Sequence, residues 1–151
     1  YVGVCVMSKG CEIYVSRRLK RMGTNTDEVV KKRMTNITKD LHRVATDLTP
    51  YKDGGLEQSG QYRNRVNKNS FVSTVTFGAK GNTYLYAEKM HDGNYNLGEK
   101  SLAKNSSGVK TIYSDKTFKV GKGFLKETAK ACQEGYRKYL EKDVINDLDR
   151  G

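Results

Sequence analysis

The chain has 151 residues, enough for one domain with a core of its own and no need of disulfides or metal to fold. Hydrophobic residues make up 36% and charged residues 30%, which is polar but not the composition of a disordered chain. Lys and Arg number 28 against 17 Asp and Glu, a net charge of +11, and no apolar run approaches the roughly 20 residues of a membrane-spanning helix.

The opening Tyr1–Val6 is apolar but short, and no basic segment precedes it, so it reads poorly as a signal peptide. Met7 reads as an alternative start, with residues 1–6 an extension, an edge strand or an artefact. Cys5, Cys11 and Cys132 are an odd number without metal-ligand spacing, which fits reduced thiols made in a cytosol. Residues 1–25 are expected to form an N-terminal extension, with a short helical piece around Glu12–Met22 that Gly23 breaks.

Over 26–48, Val30, Met34, Ile37, Leu41, Val44 and Leu48 recur at steps of four and three, the signature of one helix face. Asn25 and Glu28 have the spacing of a capping box, and Pro50 stops the helix near Leu48. Thr49–Gly60 is turn-rich, with Leu56 as its apolar anchor. Tyr62 and Val66 predict a strand over 61–67. Phe71, Ser73, Val75 and Phe77 share a face of the next strand. Gly78–Asn82 is a turn, and Thr83–Glu88 is expected to be a third strand, with Tyr84 and Tyr86 on one side and Leu85 and Ala87 on the other. Residues 91–122 are rich in Gly, Asn, Ser and Lys and read as a long projecting loop with an extended piece near Val109–Tyr113. Leu125, Ala129, Cys132, Tyr136, Tyr139 and Leu140 predict a helix over 123–142, and 143–151 is a tail.

The expected fold is therefore α+β, a single domain over 26–142. An antiparallel sheet of three or four strands packs against a long N-terminal helix and a C-terminal helix, with the loop projecting. The second sheet face is polar or meets another subunit, and tyrosines suit the latter.

The residues offer little chemistry. His42, between Leu41 and Val44, reads as a residue at the edge of the first helix's apolar stripe rather than a catalyst. His91 beside Asp92 and Gly93 is more suggestive, but lacks a third partner or nucleophile. The carboxylates are not paired for acid–base work. Gly121-Lys122-Gly123 lacks the Lys-Ser/Thr of a phosphate loop and reads as a helix lead-in. No catalytic, metal or cofactor-binding residue is assigned, and an enzyme is not expected. Charge is unevenly placed: residues 17–43 hold nine basic against three acidic residues, and 104–130 seven against two. An acidic partner follows, either nucleic acid or an acidic protein surface.

The order of motifs carries a resemblance. Leu48-Thr49-Pro50 leads to Gly54-Gly55-Leu56 and Ser59, then Tyr86-Ala87, His91 and Gly93, and finally Val120-Gly121-Lys122-Gly123-Phe124-Leu125 with Ala129. Over about residues 26–142 this resembles the neck or tail-completion proteins of tailed bacteriophages, also described as head–tail joining or minor capsid proteins. Lys52-Asp53 replaces the family's small Thr before the Gly, and Glu57 stands where a basic residue often follows the Leu. The resemblance implies a structural virion protein of the neck, assembled in the host cytoplasm. It implies a ring homo-oligomer, six-fold in expectation, that completes or terminates the tail. Connector or adaptor proteins and tail-tube or tail-terminator proteins are the neighbours, genomic DNA passes through the lumen without sequence readout, and no membrane is involved. Candidate interface residues are Tyr84, Tyr86, His91, Tyr95, Asn96, Leu97, Lys104, Lys110, Lys116 and Lys119. The loop is expected to insert into a neighbour and order on assembly, so that deleting 100–116 abolishes rings. The competing reading is a free basic nucleic-acid-binding module.

Overall fold

The computed structural model describes the backbone over residues 4–9, 12–18, 24–67, 70–78, 83–105 and 108–148, and side chains over 28–66, 71–78, 86–105 and 108–142. The elements, in chain order, are β1 (Val4–Lys9), β2 (Glu12–Arg18), α1 (Thr24–Leu48), α2 (Gly55–Gln58), β3 (Gln61–Asn67), β4 (Ser70–Thr76), α3 (Thr83–Asp92), α4 (Glu99–Lys104), β5 (Val109–Thr111), β6 (Ser114–Phe118) and α5 (Lys126–Leu148).

The apolar stripe of α1 is the spine. Val30, Met34, Ile37, Leu41, Val44 and Leu48 are all buried, as spacing of three and four on one face requires. The helix already begins at Thr24, so Asn25 lies inside its first turn. Glu28 accepts a hydrogen bond from Lys31 Nζ at 2.9 Å. At the other end the Thr49 amide and hydroxyl both reach the Thr46 carbonyl, at 3.2 and 2.8 Å, just before Pro50.

The class is α+β with antiparallel sheets. The larger has the order β1-β2-β4-β3, and β5-β6 forms a separate hairpin. In β4, Phe71, Ser73 and Val75 are buried while Val72, Thr74 and Thr76 alternate with them half-buried. The buried row faces α1. A polar chain crosses that interface: Ser73 Oγ donates to Asn64 Oδ1 (2.8 Å), Asn64 Nδ2 to Thr35 Oγ1 (3.1 Å), and Thr35 Oγ1 to the Lys31 carbonyl (2.9 Å). Helix α5 packs along α1 and against β1, burying Leu125, Ala129, Cys132, Tyr136 and Leu140.

Three expectations are corrected. The edge-strand reading of the first residues holds for Val4–Val6, which open the edge strand β1, but Glu12–Arg18 is not helical: it is β2, and together β1 and β2 supply two of the sheet's four strands. Thr83–Glu88 is not a strand but the start of α3, in which Ala87 and His91, one turn apart, are buried, and Tyr86 and Met90 lie partly buried beside them. Residues 91–122 are not a projecting loop. They hold α4 and the β5-β6 hairpin, with His91, Ser101 and Val120 buried. Helix α5 runs from Lys126 to Leu148, so Val144, Ile145 and Leu148 extend the helix expected over 123–142.

The hairpin is seated on both long helices. Tyr113 sits edge-on to Tyr136 (5.0 Å between centroids) and Tyr139 (5.2 Å). Thr111 Oγ1 donates to Asp40 Oδ2 at 2.7 Å, and Arg43, which pairs with Asp40 Oδ1 at 3.0 Å, also donates to the Lys110 carbonyl at 3.3 Å. The seat depends on Gly135, where an added Cβ would lie 1.9 Å from the Tyr113 carbonyl oxygen. Ala favours a helix over Gly by roughly 1 kcal/mol, yet here overpacking dominates. Gly135→Ala is expected to lower stability by about 1–3 kcal/mol, measured by chemical denaturation; a stabilised variant would remove the seat from this account.

Burial also sets how the protein meets alkali. It pushes the Cys132 thiol up from 9.0 to about 11, with Asp40 adding to the rise and a hydrogen bond with Tyr136 opposing it. Burial likewise raises Tyr113 to about 12 and moves Tyr136 further in the same direction. The folded state holds these protons more tightly than the unfolded chain. Stability is therefore insensitive to these groups below pH 9, then falls as pH rises towards 11 and beyond. In a Cys5→Ser/Cys11→Ser variant, Cys132 is expected to resist a thiol reagent at pH 8 until denaturant is added.

Candidate functional site

The motif residues from distant parts of the chain meet in one place. The carbonyl of Leu48, at the end of α1, accepts from the Gly121 amide at 3.2 Å. The carbonyl of His91, at the end of α3, accepts from the Gly123 amide at 2.8 Å. The His91 ring is 2% exposed and stands edge-on to Phe124 at 5.1 Å, and Phe124 in turn meets Phe77 at 5.3 Å. The Lys126 amide donates to His91 Nε2 at 3.2 Å, so Nε2 is the unprotonated nitrogen and Nδ1 carries the hydrogen given to Asp92 Oδ1 at 2.7 Å. His91 thus caps α5, satisfying one of the amides a helix N-terminus leaves open. The His91–Asp92 pair that looked closest to chemistry is a structural joint.

Beside this joint Tyr51 and Ser101 exchange hydrogen bonds: the Tyr51 amide donates to Ser101 Oγ at 2.8 Å, and Ser101 Oγ donates to the Tyr51 carbonyl at 3.3 Å. Lys104 Nζ donates to the Thr49 carbonyl at 2.8 Å and pairs with Glu57. Glu57, the family's departure at that position, is therefore matched by a cation from α4. Leu56 is buried beneath it.

The ten candidate interface residues are not brought to one surface. Tyr84 lies in α3, and its side chain falls outside the described residues. Tyr86 packs partly buried against the core; burial and the Asp53 carboxylate raise its phenol pKa. Tyr95 donates to the Met90 carbonyl at 2.5 Å, and burial, followed by its neighbour Tyr86, pushes it up to about 12. Tyr95, Asn96 and Leu97 do come together, lining an open cleft of about 540 Å³ with Gly93, Asn94 and Val120–Lys122. His91 and Lys104 are engaged internally, as described. Lys110, Lys116 and Lys119 are exposed on and just after the hairpin, whose tip presents Ile112 at 90% exposure. His42, expected at the edge of the apolar stripe, is half-buried there beside Tyr62 (5.4 Å) and Phe77 (6.1 Å), and its buried Nε2 has no hydrogen-bond partner among the described residues.

Among the described residues no group of three or more His, Cys, Asp or Glu is placed to hold a metal ion, and no helix is long and apolar enough to cross a membrane. No protein-family model, curated protein or solved structure matches the chain.

The joint makes a graded prediction. His91→Ala is expected to cost about 1–3 kcal/mol by stranding the Lys126 amide. Asp92→Asn, at a largely exposed side chain, is expected to cost under about 1 kcal/mol. Equal losses in a denaturation series would contradict the capping role.

Proposed function

We propose that the chain is a structural subunit of a bacteriophage neck, which assembles with copies of itself into a ring at the head–tail junction and completes or terminates the tail. The observation that carries this reading is the convergence of the family-like motifs. Leu48–Pro50, His91–Gly93 and Gly121–Leu125 are far apart in sequence, yet they join through the Leu48–Gly121 and His91–Gly123 hydrogen bonds, and His91 reaches on to the Lys126 amide. Their meeting in one joint supports the reading that they act together in the fold. That joint spends its polar groups on backbone bonds, which suits a building block more than a catalyst. The excess positive charge favours acidic neighbours, whether connector proteins or passing DNA.

The loop-insertion idea changes form. Deleting 100–116 would remove α4 and the Thr111 and Tyr113 contacts with the core, so it would unfold the subunit rather than test assembly. The exposed tip is the better probe, because Ile112 contributes little to the fold at 90% exposure.

Light scattering of the purified protein, alone and with tail-tube or connector proteins, is expected to give closed multimers or stoichiometric addition to the partner. Ile112→Asp is expected to weaken assembly while leaving the melting temperature within a degree or two of wild type. A persistent monomer that binds duplex DNA, with affinity falling steeply in salt, would replace this reading with the free nucleic-acid-binding module.

A further inference from the structure

The open cleft beside the His91 joint has two unlike walls. One is the segment Gly93–Leu97, between α3 and α4, and the other is Val120–Lys122, just before α5. At about 540 Å³ the cleft falls in the size range of ligand sites. The walls touch where the methyls of the half-buried Leu97 lie 3.9 Å from the place of a Cβ on Gly121. They meet again where the exposed Lys122 reaches Asn94 Oδ1 with its Nζ at 3.5 Å.

The first wall holds unused peptide groups. Among the described residues the amides of Asn94, Tyr95, Asn96, Leu97 and Gly98 and the carbonyls of Asn94 to Leu97 have no hydrogen-bond partner in the chain. The groups on either side are paired: the Gly93 amide donates to the Lys89 carbonyl at 2.8 Å, and the Gly98 carbonyl accepts from the Leu102 amide at 3.0 Å. Backbone groups are strong donors and acceptors that a fold normally satisfies. Exposure alternates along the wall, with Asn94 and Asn96 exposed and Tyr95 and Leu97 half-buried. Each exposed carboxamide adds a donor and an acceptor of its own.

The second wall supplies charge. Lys116, Lys119, Lys122 and Lys126 are all exposed, and no carboxylate lies between residues 116 and 126. The carboxylates that flank the first wall are Asp92, which the His91 ring engages at 2.7 Å, and Glu99.

We propose that the cleft binds an extended acidic segment of another protein, whose main chain pairs with the free peptide groups of 94–98 and whose carboxylates meet Lys119 and Lys122. Main-chain pairing gives such a site affinity, and side-chain contacts give it selectivity. A nucleic acid fits less well. Proteins grip single strands by stacking bases on aromatic rings, and the ring in this lining is Tyr95, half-buried with its hydroxyl on the Met90 carbonyl. A duplex carries its phosphates on a convex surface too broad for a cleft of this size. A second copy of the chain, at +11, is a poor source of the acid. The site does not rest on the ring reading, since a lone subunit has the same cleft.

The probe is a short fluorescein-labelled peptide of alternating Glu and Leu, read by anisotropy on the full chain. Its Gln-and-Leu counterpart and a labelled oligothymidylate are the comparators. The acidic peptide is expected to bind about tenfold more tightly than either. Lys122→Glu is expected to weaken that binding about tenfold, with the melting temperature unchanged because Lys122 is exposed. Lys32→Glu makes the same charge change on α1, about 24 Å along the helix from Leu48, and is expected to weaken binding about twofold at most. In hydrogen exchange the acidic peptide should protect the amides of 94–98 and leave α1 unchanged. Equal loss from Lys32→Glu, tighter binding of the oligothymidylate, binding without protection over 94–98, or no binding of the acidic peptide would each overturn the proposal. None of these outcomes bears on the ring, which light scattering tests separately. A protein that binds the peptide yet stays monomeric under all conditions would sink the ring reading and leave this one standing.

Discussion

The structure depends on one constraint: two long amphipathic helices cover a single face of a four-stranded antiparallel sheet. Met34, Ile37, Leu41 and Val44 from α1, with Leu125 just before α5 and Ala129, Cys132 and Tyr136 within it, join Phe71 and Val75 of the sheet in one core, and all of them are buried. Once that face is closed the remaining elements have fixed duties. α3 and the segment before α5 tie the helix ends together through His91, and the β5-β6 hairpin locks α1 to α5 through Asp40, Tyr113 and Gly135. The opposite sheet face and both edges are left without a covering element among the described residues.

The joint at His91 shows why chemical suggestiveness in a sequence misleads. A histidine followed by aspartate and glycine resembles part of an acid–base site. In the fold its two ring nitrogens are engaged by the Asp92 carboxylate and the Lys126 amide, and Phe124 covers its face. Lys104 is similar: a lysine in a basic stretch reads as a contact for an acidic partner, yet it holds the Thr49 carbonyl and Glu57 inside the subunit. Both roles are long-range, and only the folded chain brings the partners into reach.

The helices were legible because their periodic signal is strong. The stripe of α1 appears in the structure residue for residue, the Leu125–Leu140 stripe does so except for the partly buried Tyr139, and β3 begins and ends where Tyr62 and Val66 placed it. Thr83–Glu88 was not, because Tyr-Leu-Tyr-Ala alternates over too short a window to separate a period of two from 3.6; only Met90 and His91, further along, reveal the helical repeat. β2 was missed for another reason. β2 completes its pairing with β4, more than fifty residues away, so nothing local fixes it as a strand. Of the candidate interface, Tyr95, Asn96 and Leu97 line one cleft, since their adjacency in sequence already favoured it, while Lys110, Lys116 and Lys119 are exposed on and just after the hairpin.

If copies of the subunit build a ring, amide hydrogen exchange in the monomeric and assembled states tests the account most directly. The peptide spanning 109–118, which carries the exposed Ile112, should gain protection on assembly, while α1, already interior, should change little. A protein that never assembles, or that assembles with the hairpin exchanging as fast as in the monomer, would contradict it.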